Sequence, residues 1–274
     1  MTIGRTARTL TSRAAVIDLH SHLLPGIDDG APDLEASVEM GRAAVEGGVE
    51  AIVATPHVSG SYPNDPTTFA ERVADVQKAL DDAGIALRVH KGAEISHAML
   101  HDLSEEALRA CTLGDGNFIL LEPPLGGPAP FIDRMVHDLQ TKGFKVVLAH
   151  PERIAAFHSK IEVVEQLVDS GCLTSVTASS VAGQFGGTVK RFTQELFGRG
   201  LVHNLASDAH DAEYRSPALR PILEAAMDEL PELEGWLDYL TVDVPRAVLA
   251  GESPTGQPPV IEPKRGFFSR LRGR

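Results

Sequence analysis

Nine residues with metal-binding side chains stand at or just beyond the ends of short apolar runs: His20, His22, Asp28, His57, Glu94, Glu122, His150, Asp208 and His210. Side chains alternate along a strand, so His20 and His22 point the same way. Two imidazoles side by side gain little from packing and much from a cation between them. Asp208 and His210 repeat the same spacing. Each residue taken alone reads as an ordinary strand end; the joint occurrence carries the metal reading. Five imidazoles and four carboxylates without a thiolate suit Mn²⁺, Fe²⁺ or Zn²⁺ better than a structural Cys-rich zinc site. The number suits two or three ions. Three divalent ions would outweigh the four carboxylates and leave a positive pocket in an acidic chain, which favours an anionic substrate such as a phosphate ester. Arg153, shortly after His150, and Arg215, shortly after His210, offer the planar fork that holds phosphate oxygens pairwise.

The elements that must position these groups alternate regularly. Apolar runs are expected at 17–20, 51–55, 85–89, 118–121, 144–149, 173–176 and 201–206, with helical stretches between them. One helix is expected from Leu34, after Pro32 and Asp33, to Gly47-Gly48. A second runs from about Thr67 to Gly84, with Phe69, Val73, Val76 and Leu80 on one stripe. Seven apolar runs alternating with helices predict βα units and a parallel sheet covered on both faces. An open doubly wound sheet fits the alternation. A somewhat irregular seven-stranded barrel fits better, because it brings all the strand ends to one mouth.

Composition narrows the class. The chain has 274 residues, 43% of them hydrophobic, and a formal net charge of −13, which argues against a general nucleic-acid binder. Cys111 and Cys172 have no paired spacing, so neither a disulfide framework nor a thiolate zinc site is expected, in keeping with a reducing cytoplasm. Neither is followed by the phosphate-binding loop and arginine of a cysteine-nucleophile phosphatase. No stretch approaches the length needed to span a bilayer. The expected organisation is a disordered arm over 1–14, one domain over 15–251 and a flexible basic tail over 252–274. In that tail Phe267, Phe268 and Leu271 are interleaved with Arg265, Arg270 and Arg272. A solvated tail is the simpler reading; weak contact with an anionic membrane surface is the sharper one.

The stretches Asp18-Leu19-His20-Ser21-His22, Pro25-Gly26-Ile27-Asp28-Asp29-Gly30, Thr55-Pro56-His57, Gly92-Ala93-Glu94, His150-Pro151-Glu152-Arg153 and Ser207-Asp208-Ala209-His210 resemble the PHP (polymerase and histidinol phosphatase) superfamily of metal phosphoesterases. Within it the chain is similar to the bacterial manganese-dependent protein-tyrosine phosphatases encoded with capsule and exopolysaccharide genes. The resemblance spans about residues 16 to 251. It implies a distorted (β/α)7 TIM-like barrel holding three Mn²⁺ ions: one on His20, His22, Glu94 and Asp208, one on Glu94, Glu122 and His150, and one on Asp28, His57 and His210, with Asp29 as the alternative to Asp28. It also implies a phosphotyrosine protein substrate, the tail of a bacterial tyrosine kinase, with Arg153 and Arg215 serving catalysis on the phosphoryl group. The sequence departs from the family after Glu122, where Pro123-Pro124 replace the usual aromatic residue and a Gly- and Pro-rich loop follows. The competing readings are a small-metabolite phosphatase of the histidinol-phosphatase kind and a catalytically weak regulatory partner. An amidohydrolase would want a bridging lysine, for which Lys91 sits badly.

Overall fold

The computed structural model describes residues 16–262. The arm expected over 1–14 and the end of the tail, 263–274, lie outside the described residues. Among the described residues nine strands form: β1 (Val16–Ser21), β2 (Val49–Ala54), β3 (His57–Val58), β4 (Arg88–Lys91), β5 (Glu94–Ser96), β6 (Phe118–Glu122), β7 (Lys145–Ala149), β8 (Leu173–Thr177) and β9 (Asn204–Ala206). The α-helices among the described residues are α1 (Leu34–Glu46), α2 (Phe69–Asp82), α3 (Glu105–Ala110), α4 (Ile132–Thr141), α5 (Ala155–His158), α6 (Ile161–Asp169), α7 (Ala178–Ala182), α8 (Gly187–Gly198), α9 (Leu219–Glu229) and α10 (Val244–Leu249).

All strand pairs are parallel. One sheet has the order β1-β2-β4 and the other β3-β5-β6-β7-β8-β9. Two of the seven expected runs are each followed by a further short strand. Thr55-Pro56 separates β2 from β3, and Gly92-Ala93 separates β4 from β5. Pro56 has no N–H to give a ladder, yet the pairing continues across the break, since Thr55 N donates to Ser21 O (2.7 Å) and Glu94 N to Pro56 O (3.1 Å). The run expected at 85–89 becomes β4 three residues later, and Ile85 and Leu87 are buried in the connection. At the other edge, Asp208 N donates to His20 O (2.9 Å) and His22 N to Ala209 O (2.8 Å), beside a parallel bridge between Ser21 and Ala209.

The helices follow their sequence signals. Asp33 caps α1 by accepting from Ala36 N at 2.9 Å, a favourable contact at the positive end of the helix. Ser37, Met40, Gly41 and Ala44 form its buried stripe. Gly41 is needed there: a Cβ would lie 2.3 Å from Leu80 Cδ2 of α2. Phe69, Val73, Val76 and Leu80 are buried on α2, as the stripe predicts.

Most of the core lies between strands and helices, with Ile52, Ile119, Val146 and Val176 against residues such as Leu80, Val136 and Leu196. A second cluster joins the two sheets to each other: Ile17, Leu19 and Val53 meet Phe118, Leu120 and Val147, together with Val244 and Val248 of α10. Burial at about 25 cal/mol per Å² makes this two-layer packing the main force holding the strand ends in place. Residues 252–262, assigned to the flexible tail by composition, begin along the body of the protein: Ile261 is buried and its N–H donates to Phe197 O at 3.0 Å.

Candidate metal centre

Parallel strands present their C-terminal ends at one edge, and the candidate ligands gather there. His20 and His22 close β1, His57 opens β3 directly opposite Glu94 of β5, Glu122 closes β6, His150 follows β7, and Asp208 and His210 follow β9. His150 (φ 31°) and Asp208 (φ 53°) adopt left-handed backbone that residues other than glycine seldom occupy. Their N–H groups, bonded to Ser175 O and His20 O, hold them in it. Such strain persists where the surroundings enforce it, which is typical of functional sites.

Glu94 is the centre of the cluster. Its Oε2 lies 3.3 Å from His20 Nε2, 3.4 Å from His22 Nε2 and 3.1 Å from His57 Nδ1, and its Oε1 lies 2.8 Å from His150 Nε2. Asp208 Oδ1 faces His20, His22 and His210 at 3.5, 3.6 and 3.7 Å. Glu122 is 3.5 Å from His150 Nε2. The Nε2 atoms of His20 and His22 are 3.3 Å apart. Three sets of donor atoms converge within 4.8 Å: His20, His22 and Asp208; His57, Glu94 and Glu122; His22, Asp29, His57 and His210.

Asp28 is the exception among the expected ligands. Its carboxylate accepts from His22 Nδ1 (2.8 Å), His57 N (3.0 Å) and Gly30 N (2.9 Å), so it orients His22 from behind. Its neighbour Asp29 instead reaches His57 Nε2 (3.4 Å) and His210 Nε2 (3.5 Å). The turn before Gly30 decides this, because Asp28 folds back onto the Gly30 N–H and leaves Asp29 half in solvent beside the two rings.

Arg153 and Arg215 are both brought to the centre. Arg153 Nη1 and Arg215 Nη2 donate to Asp208 Oδ2, the second at 2.7 Å, on the side away from the imidazoles. The two side chains remain partly exposed at the mouth.

The electrostatics charge some groups and neutralise others. Burial works against charge on His22 and His150, yet Asp208, Asp28 and Glu94 hold His22 well above the usual imidazole range and Glu94 raises His150. Burial works against ionised Asp208, yet His20 and the neighbouring cations hold its carboxyl well below the usual range. Glu94 behaves alike, burial being outweighed by His20 and by hydrogen bonds from His150 and His22. Burial and the charge of His22 depress His210 to about 3, so its ring is neutral at pH 7. Burial and the Glu94 charge push Glu122 up to about 7.

These residues fit a set of divalent cations. Buried His57 Nδ1, which faces Glu94 Oε2, has no hydrogen-bond partner, two imidazole nitrogens face each other, and carboxylates repel across a few ångströms. A cation satisfies all three conditions. Lys91, by contrast, donates to Thr112 O and Oγ1 (3.2 and 3.3 Å) and is unavailable as a bridge.

Some supporting residues were not singled out in the sequence. Buried Asp18 accepts from Ser207 N (3.0 Å) and Ser207 Oγ, joining the strand that carries His20 to the one that carries Asp208. Its position two residues before His20 was the available signal. Glu152 accepts from Thr177 N (3.0 Å) and Ser180 Oγ (2.7 Å), fixing the turn between His150 and Arg153. Tyr62 stacks on His57, and Phe185 lies under the Arg153 guanidinium at 4.7 Å; neither carries a spacing signal.

Comparison with known proteins agrees with this geometry. Residues 16–234 match the family described as capsular polysaccharide synthesis, CpsB/CapC. The tyrosine-protein phosphatase YwqE of Bacillus subtilis is 34% identical over 260 residues, covering 92% of this chain and 99% of the relative. The tyrosine-protein phosphatase CpsB of Streptococcus pneumoniae is 28% identical over 244 residues, 85% of this chain and 98% of the relative. A solved structure from work on those two proteins, described as unique metal-dependent tyrosine phosphatases, superposes with a TM-score of 0.79 at 32% identity, covering 90% of this chain and 98% of that one. The Escherichia coli phosphotriesterase homology protein shares the fold at 11% identity, with a TM-score of 0.56 over 86% of this chain and 99% of that one. By sequence, fold and the residues gathered at its strand ends, the chain belongs to the CpsB/CapC family.

Proposed function

We propose that this protein is a metal-dependent tyrosine-protein phosphatase of capsule and exopolysaccharide synthesis, acting in the cytoplasm on the phosphorylated tail of a bacterial tyrosine kinase. The observation that carries the reading is the buried assembly of five imidazoles around Glu94 and Asp208, with Arg153 and Arg215 at its mouth. The near full-length likeness to proteins named tyrosine-protein phosphatases supports it. We also read the two sheets as one distorted (β/α)7 barrel within a single domain, supported by the hydrogen bonds linking β9 to β1. The cytoplasmic placement is supported by two buried, free cysteines. Among the described residues no helix is long and apolar enough to cross a membrane.

In this reading three Mn²⁺ ions are held by His20, His22, Glu94 and Asp208; by Glu94, Glu122 and His150; and by His57, His210 and Asp29, with Asp28 orienting His22. Bound divalent cations lower the pKa of coordinated water and offset phosphoryl charge. The protein's own groups do the rest. Arg153 and Arg215 each direct an N–H to Asp208 and keep further donors for the non-bridging phosphoryl oxygens, where charge is stabilised in a partly dry site. Asp208 in turn fixes both guanidinium groups. Glu152 and Asp18 hold the turns that carry His150, Arg153 and Asp208. The leaving phenolate of tyrosine makes a modest demand for a proton donor. Neither cysteine acts as nucleophile, since burial pushes both thiols up to about 12.

The test is phosphate release from a phosphotyrosine peptide and from histidinol phosphate, in Mn²⁺ and in EDTA. Metal-dependent turnover favouring the peptide is expected. Preference for the metabolite replaces the substrate, and no turnover on either with metal bound overturns the enzymatic reading.

A further inference from the structure

The loop after β6 reads Pro-Pro-Leu-Gly-Gly-Pro-Ala-Pro over residues 123–130. It forms one wall of a groove of about 520 Å³. Pro128 and Pro130 lie on that side, Ala155, Phe157 and Val163 on the other, and Lys160 is the charged side chain among the lining residues. Leu125 within the loop and Phe131 just after it are 43% and 71% exposed. Phe131 is held in left-handed backbone (φ 59°), which turns a large aromatic side chain towards solvent.

Both walls grow out of the metal centre. The loop begins directly after Glu122, and α5 begins two residues after Arg153. Ala155 N donates to Leu125 O at 3.1 Å and ties the walls together. An extended chain advances about 3.3 to 3.6 Å per residue. Two to four residues from a phosphotyrosine held at Arg153, an extended segment has advanced about 7 to 14 Å, a reach that suits a groove whose second wall starts two residues after Arg153. Prolines restrict the loop before anything binds, so little ordering remains to oppose binding.

We propose that this groove is the docking site for the chain segment flanking the phosphotyrosine of the protein substrate: an apolar side chain packs against Pro128, Pro130 and Val163, and an acidic group meets Lys160. The assignment rests on the phosphatase reading above and specifies what that site selects. It also gives the unusual loop a role, since short Gly, Pro and Ala side chains leave open a space that larger ones would fill.

The test uses the full chain with Mn²⁺ and phosphotyrosine peptides bearing Leu and Asp, or Gly and Ser, two to four residues from the phosphotyrosine on either side, with p-nitrophenyl phosphate as the small ester. The wild-type protein should favour the Leu/Asp peptide by about tenfold or more in kcat/KM, the scale for one apolar side chain in a pocket. Ala155→Trp, at an exposed position, should abolish the preference by raising KM while p-nitrophenyl phosphate turnover stays within about twofold of wild type. Lys160→Glu should remove the preference for Asp alone. Equal kcat/KM for all flanks, or an Ala155→Trp loss shared equally by peptide and small ester, overturns the proposal. Failure to hydrolyse any phosphoester overturns the phosphatase reading instead. Anisotropy of labelled peptides then decides the groove, and binding that ignores both the flanks and Ala155→Trp sinks it.

Discussion

Replacing Glu122 by Gln removes one of two carboxylates that crowd each other when no cation lies between them. In the metal-free protein burial and the Glu94 charge push Glu122 from an ordinary 4.5 to about 7. At about 1.4 kcal/mol for each tenfold in proton affinity, ionised Glu122 costs the metal-free fold about 3 kcal/mol. The sign follows from proton counting: between the two values the folded state binds more protons than the unfolded one, so stability falls as pH rises from 4.5 through 7. Glu122→Gln carries no charge and escapes this loss. Denaturant unfolding in EDTA should show the variant more stable than wild type by up to about 3 kcal/mol at pH 8, a gain in Tm on the order of 5 to 10 °C for a chain of this size. The gain should shrink towards zero near pH 4.5. Saturating Mn²⁺ should reverse the order, because metal stabilises the form that binds it and the variant has lost a ligand. A variant no more stable than wild type at pH 8, or a gain that ignores pH, would refute the idea that Glu122 and Glu94 are held together for a cation.

Arg153→Ala should lose on the order of 10² in kcat/KM on a phosphotyrosine peptide while keeping its metal content, as other electrostatic stabilisers do; full activity would remove its assigned role. Gly30→Ala should be severe, since a Cβ would lie 2.1 Å from the His22 carbonyl oxygen and 2.4 Å from His22 Cβ. Displacing that ligand by even 1 Å should cost on the order of 10² in activity, with reduced metal content by elemental analysis, and wild-type content and rate would show that the turn tolerates the change.

Much of the site was legible in local patterns. The two-residue spacing places His20 and His22 together, and the fold brings their Nε2 atoms to 3.3 Å. The helical stripe of Phe69, Val73, Val76 and Leu80 and the cap at Asp33 follow rules that act within a few residues. Alternation of runs and helices accounts for parallel strands that end at one edge, and hence for a common location of Glu94, Glu122, His150 and Asp208. These features depend on short-range geometry, which a sequence records directly.

Other features depend on contacts between distant parts of the chain. Asp28 and Asp29 are indistinguishable as adjacent letters, and only the turn onto Gly30 makes one the support of His22 and the other the partner of His57 and His210. Arg153 and Arg215 were expected to await phosphate, and the fold first anchors both on Asp208. Asp18 meets Ser207 across 189 positions of sequence. The groove beside Lys160 exists because a loop from one strand lies against a helix from the next. Residue types and spacing determined which chemistry this protein can hold; packing decided which atoms face one another, because hydrogen bonds and charge pairs act over a few ångströms that the linear chain does not encode.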